Sequence, residues 1–132
     1  MNLIRYWFRE FYSFIQRGRR GWADSDTWGF DTYLARIIRD SVRHLAKDLH
    51  GCPSEYYDSK RINDECWKYK EMLEEIASGF DSYMDDIEFN LRRRLVKGKI
   101  IVKIDKGQEK IRRQKVDRAF DLLKKHFPGL WD

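Results

Sequence analysis

WKYKEMLEEIASGFDSYMDDIEFNL, residues 67–91, is the stretch that decides the fold. Tyr69, Leu73, Ile76, Phe80, Tyr83, Ile87 and Leu91 follow one another at alternating four- and three-residue steps. On an α-helix such positions form one narrow seam, suited to packing against neighbouring helices at a small crossing angle. The spacing predicts one long helix, capped at its start by Asn63 or Asp64. Gly79 lies inside it at a cost of about 1 kcal/mol relative to alanine, and marks either a kink or a close approach by a neighbour.

Outward from this seam the same period recurs. On the C-terminal side a last helix turns Ile111, Ala119, Phe120, Leu123 and Phe127 inward and stops at Pro128. Between the two lies VKGKIIVKIDKG, in which Ile100, Val102 and Ile104 alternate as in a strand. A lone strand has nothing evident to pair with, so an irregular segment near 96–107 is expected. On the N-terminal side a helix starting at Ser25 or Asp26 buries Phe30, Leu34, Ile37, Ile38, Leu45 and Leu49 and ends at LHGCP, where Gly51 closes it and Pro53 forbids continuation. His44 and His50 are ordinary helix residues there. The first helix carries Leu3, Ile4, Trp7, Phe8, Phe11, Phe14 and Ile15 on one wide stripe and stops at Gly18 and Gly21. A 132-residue chain needs that area to close its core, so the stripe is expected inside. The alternative is a membrane surface, with Arg5, Arg9 and Arg17 as flanks. The expected fold is an all-α bundle of about four helices, residues 1–132 forming one domain.

Composition agrees with a folded unit: 42% of residues are apolar, 15% aromatic and 37% charged. The net charge of +5 conceals blocks of +4 over residues 1–21, −8 over 22–91 and +9 over 92–118. Opposite blocks attract each other within a fold, or the basic ones face an anionic partner. Cys52 and Cys66 have neither zinc-ligand spacing nor the density of a secreted disulfide scaffold, which points to a reducing compartment. MNLIRYWFREFYSFI is broken by Arg5, Arg9 and Glu10, and so reads as neither a signal peptide nor a membrane span.

Three constellations carry possible chemistry. The first is RGRRGWADSDTWGFD, residues 17–31. Arg17, Arg19 and Arg20 are forked donors suited to phosphate, Trp22 and Trp28 offer faces for a base, and Asp24, Asp26 and Asp31 suit polar edges, all beside a helix start where anions bind. The rival reading makes Trp28 and Phe30 core, Ser25 or Asp26 a cap, and Arg19 with Asp24 or Asp31 a surface ion pair. No phosphate-loop or dinucleotide pattern is present. The second is the acidic set Glu71, Glu74, Glu75, Asp81, Asp85, Asp86 and Glu88, which is either a magnesium site or a solvated helix face, the latter being the ordinary outcome. The third is the basic run from Arg92, Arg93 and Arg94 to Arg118, suited to nonspecific charge contacts but without aromatics for stacking. No nucleophile, base and orienting group stand at recognisable spacing, so no catalytic residue, metal or cofactor is assigned.

The order RGWADSDTWGFDTYLARII, HGCP, WKYKEMLEEIASGF and HFPGLWD resembles small helical proteins of tailed bacteriophages. Those typically read RGW or RGY, a WxxDxYLA segment, a YP-type break, a WxxIL…IxxGF helix and a closing LWD. The resemblance implies a phage origin and the bacterial host cytoplasm, and supplies no mechanism. Residues 92–118 are more basic than the pattern. The expected function is a non-enzymatic binding protein that sequesters an anionic, nucleotide-like signal used in host defence. The alternatives are an interaction module or inhibitor reaching a host protein or nucleic acid through residues 92–118, and a magnesium-dependent nucleotide hydrolase using Glu71, Glu74 and Glu75. A homo-oligomer fits any of these; a membrane partner is not expected.

Overall fold

The structure, a computed structural model, describes residues 3–61, 64–89, 93–96, 99–102 and 106–130. It is all-α in character: α1 (Leu3–Arg20), α2 (Phe30–Lys47), α3 (Trp67–Phe89) and α4 (Lys106–His126), with short 3-10 turns at Asp24–Gly29, Ser54–Tyr56 and Phe127–Gly129. The chain divides into two compact units, residues 1–34 and 35–132.

In the second unit the predicted seam is the centre of the core. Tyr69, Leu73, Ile76 and Phe80 are buried, joined by Met72 and Ala77 of α3, Ala35 and Val42 of α2, and Ala119 and Leu122 of α4. Tyr83 packs against this cluster; Ile87 and Leu91 lie outside the residues whose side chains are described. Gly79 marks a close approach: a Cβ there would stand 2.2 Å from the Ala119 Cβ and 2.7 Å from the Lys115 carbonyl oxygen. The apolar faces of α2 and α4 differ from expectation. On α2 the buried line is Ala35 and Val42, flanked by Ile38 and Leu45, while Phe30, Leu34 and Ile37 are exposed. On α4 it is Ala119, Leu122 and His126, while Ile111, Phe120 and Phe127 are exposed, Phe120 still meeting Phe80 edge-on at 5.1 Å. Where α4 comes closest to α3 a small residue, Ala119, faces Gly79, because backbones this close leave no room there for a larger side chain.

Ion pairs border the same core. Arg43 of α2 pairs with Glu74 (2.9 Å) and Asp81 (2.6 Å) of α3, Arg39 with Asp81 (3.2 Å), and Arg118 of α4 with Glu75 (3.0 Å). The last links the acidic block to the basic one. At the closed end, Tyr56 sits between the rings of Tyr69 (5.5 Å) and His126 (5.3 Å), and the Tyr69 hydroxyl donates to the Gly129 carbonyl at 2.8 Å.

Three further expectations change. The segment expected to be irregular, near 96–107, contains β2 (Lys99–Val102), which pairs antiparallel with β1 (Arg93–Val96) just before it, Arg94 opposite Ile101 and Leu95 opposite Ile100. The missing partner strand was the basic RRLV run itself. Gly51 does not close α2, which ends at Lys47; among the described residues the glycine with positive φ is Gly21 (φ 82°), whose N–H donates to the Arg17 carbonyl at 2.9 Å and ends α1. Cys52 and Cys66 form a disulfide, with Cα atoms 5.8 Å apart, where their spacing pointed to a reducing compartment. The fold brings the exit of α2 beside the entry of α3, a proximity that cysteine spacing does not encode.

Candidate functional site

In the first unit, Ser13, Gln16, Arg17 and Arg20 are spaced three, four and seven residues apart and share one face of α1. That polar face turns toward the chain that follows. Ser13 and Gln16 are buried, and the Ser13 and Ser25 hydroxyls lie 3.4 Å apart. Gln16 grips Asp24 twice: its Nε2 donates to Oδ2 at 2.7 Å, and its Oε1 accepts the Asp24 backbone N–H at 2.9 Å. Arg17 holds both carboxylate oxygens of Asp26, from Nε at 2.9 Å and Nη2 at 2.5 Å. Asp26 also accepts the Ala23 N–H at 2.8 Å, capping the 3-10 turn, and its side chain is only 7% exposed. Arg20 pairs with Asp24, donates from Nε to the Trp22 carbonyl at 3.0 Å and lies 3.8 Å over the Trp22 ring. The Tyr33 hydroxyl donates to the Gly21 carbonyl at 2.7 Å.

These contacts set the local electrostatics. Hydrogen bonds from Gln16, then Arg20, hold the Asp24 carboxyl below its ordinary pKa; Arg17 does the same to Asp26, and Asp26 in turn raises Arg17. Charges of both signs stand in this short connection because it is a clasp. Of the eight residues expected to form a ligand pocket, it brings together Arg17, Arg20, Trp22, Asp24 and Asp26. Their guanidinium and carboxylate groups meet each other. Arg19 lines a cleft of about 370 Å³ with Tyr12, Ile15, Gln16 and Arg20. Trp28 stands apart, 95% exposed rather than in a core, and Asp31 lies in the first turn of α2. The turn is capped from Ala23, with Asp26 as the third residue reaching back, rather than from Ser25 or Asp26 themselves.

Held by its polar face, α1 points its apolar stripe outward. Leu3, Ile4, Trp7, Phe8, Phe11 and Phe14 are each between 63 and 73% exposed, so the expected burial of this stripe does not occur. A signal for this orientation is present in the sequence: acceptors at Asp24 and Asp26 stand ready for the polar side of the helix.

No protein-family model, curated protein or solved structure matches this chain.

The other two constellations are placed differently. Glu74 and Glu75 meet Arg43 and Arg118, and among the described residues no group of three His, Cys, Asp or Glu side chains is arranged to hold a metal ion. Arg92 lies outside the described residues, and Arg93 and Arg94 are on β1, where side chains are not described. Further along, Glu109 holds both Arg112 (2.7 Å) and Arg113 (2.9 Å). One cluster escaped the sequence reading. His126, 7% exposed, has Nε2 2.8 Å from the Tyr56 hydroxyl and Nδ1 3.5 Å from a Glu55 oxygen, at one wall of a polar cleft of about 310 Å³. Burial raises the Tyr56 pKa, and the pair ties the 3-10 turn Ser54–Tyr56 to the end of α4. No described helix is long and apolar enough to cross a membrane.

Proposed function

We propose that the chain is a non-enzymatic binding protein whose recognition surface is the outward aromatic face of α1. What carries this reading is the exposure of that face while the opposite, polar face of the same helix is hydrogen-bonded to residues 24–26. Monomeric proteins rarely leave a contiguous apolar patch larger than a few hundred Å², and when they do it is commonly an interaction surface. Four aromatic rings, each about two-thirds exposed, together with Leu3 and Ile4 put this one on the order of 800 Å². The test is stability. Phe8→Ser and Phe14→Ser are expected to change the free energy of urea unfolding by no more than about 0.5 kcal/mol, as for surface positions. A loss of about 3 kcal/mol or more, as for a core phenylalanine, would mean that the face packs within the fold and would end this reading.

A second reading, sequestration of an anionic nucleotide-like molecule by a phage-encoded chain, is supported by the cleft that Arg19 and Arg20 line and by the partly exposed Trp22 ring under Arg20. Calorimetry against nucleotides and cyclic dinucleotides tests it. Heat that Arg19→Ala and Trp22→Ala both abolish supports sequestration, and absence of heat with every compound retires it.

A further inference from the structure

Resting on the reading of α1 as a docking face, we infer that its occupant is the surface of an anionic lipid bilayer, on which the helix lies flat with its aromatic stripe in the headgroup boundary. The shape of the stripe comes first. At 3.6 residues per turn, Leu3, Phe14, Trp7, Phe11, Ile4, Ile15 and Phe8 cover roughly 140° of the helix surface, uninterrupted by charge. So broad a face suits a plane better than the narrow seam that one partner helix offers. Its chemistry is aromatic and aliphatic in the centre, with Tyr12, Arg19 and Arg5 along one rim, and such rims keep polar ends in headgroups while apolar bodies enter the acyl boundary.

Charge then separates the candidate occupants. Of the five arginines of α1, Arg17 and Arg20 are held by Asp26 and Asp24 and Arg9 lies 3.8 Å from Glu10, which leaves Arg5 and Arg19 as the cations on the rim of the stripe. Two copies meeting antiparallel through this face would set the Arg5 and Arg19 rim of one against that of the other, whereas anionic headgroups complement that rim. The helix does not cross: none of the described helices is apolar enough over a sufficient length, so the orientation is parallel to the surface. The clasp supplies the last element. Because Gln16, Arg17 and Arg20 are already held by Asp24 and Asp26, the stripe is presented on a formed helix, and binding need not order it first.

The experiment is flotation of the full chain with vesicles of equal parts phosphatidylglycerol and phosphatidylcholine, and with phosphatidylcholine alone. Binding to the first and much weaker binding to the second are expected. Phe11→Ser should lower the partition about tenfold, as for one lost buried ring, and Arg5→Gln about fivefold, with added salt weakening the wild type. Failure to float with phosphatidylglycerol vesicles, or equal binding to both kinds, overturns the inference. So does a dimer in the absence of lipid that Phe11→Ser dissociates, since a second copy would then hold the face. Urea unfolding of Phe11→Ser separates the lipid from the docking face: unchanged stability with no flotation removes the lipid alone, and a large loss of stability removes the docking face with it.

Discussion

Asp26 does more than one side chain usually does in so short a turn. It caps the 3-10 turn through the Ala23 N–H and takes the full fork of Arg17, so that one carboxylate fixes both the turn and the rotation of α1. A carboxyl whose pKa is depressed by its partner contributes its stabilisation fully above the ordinary value near about 4 and loses it as the pH falls through the lowered folded value. Amide protection at Asp24 and Asp26 should therefore persist at about pH 5 and decline only under stronger acid. In Asp26→Asn the protection should already be low at neutral pH and lack the acid transition. Hydrogen exchange across that range measures both. Residues 17–31 were legible as a special place, since arginines, aspartates and tryptophans seldom crowd together without cause. Their role was not, because pairing among neighbours and pairing with a ligand call for the same residue types.

At the scale of elements, the packing of α3 is legible in the sequence and that of α1 is not, and the reason is physical. Periodicity reports that a helix has an apolar face; it does not report what covers that face. For α3 the seam from Tyr69 to Phe80 is enclosed by α2 and α4, so pattern and burial coincide. For α1 the pattern is stronger still, and the face is open. The hairpin of β1 and β2 escaped because its first strand, RRLV, looks like a basic run until Leu95 is seen opposite Ile100. Gly79, ambiguous between a kink and a contact, is a contact between α3 and α4. Gly79→Ala would force its new methyl into Ala119 and toward the Lys115 carbonyl, with an expected loss of about 1–3 kcal/mol or more in urea unfolding. Gly79→Ala combined with Ala119→Gly should recover only part of it, because the backbone carbonyl remains in the way.

For the molecule as a whole, the core lies in residues 35–132, and the Cys52–Cys66 bond closes the connection between α2 and α3 at one end of that core. Closing a loop with a separation of 14 residues stabilises by about 3 kcal/mol, chiefly by restricting the unfolded chain. Reduction, or Cys52→Ser with Cys66→Ser, should lower the unfolding free energy by about that amount, as read from urea curves with and without reductant. An unchanged midpoint would mean that Tyr56, Tyr69 and His126 hold this end of the core without the bond. Net charge spoke correctly at this scale in one respect: the acidic and basic blocks do meet, at Glu75 and Arg118. It was silent on where most arginines find their partners, since Arg39 and Arg43 arise within the acidic block itself.

The outward stripe on α1 also bears on how this sequence drifts. On the proposed reading, a substitution that replaces Phe8 or Phe14 with a small polar residue is expected to leave the fold as it is, and selection for foldability would not see those positions. What keeps them aromatic would then act from outside the polypeptide, and a library of α1 variants scored separately for abundance and for phenotype is expected to show that division: abundance flat across the stripe, phenotype steep.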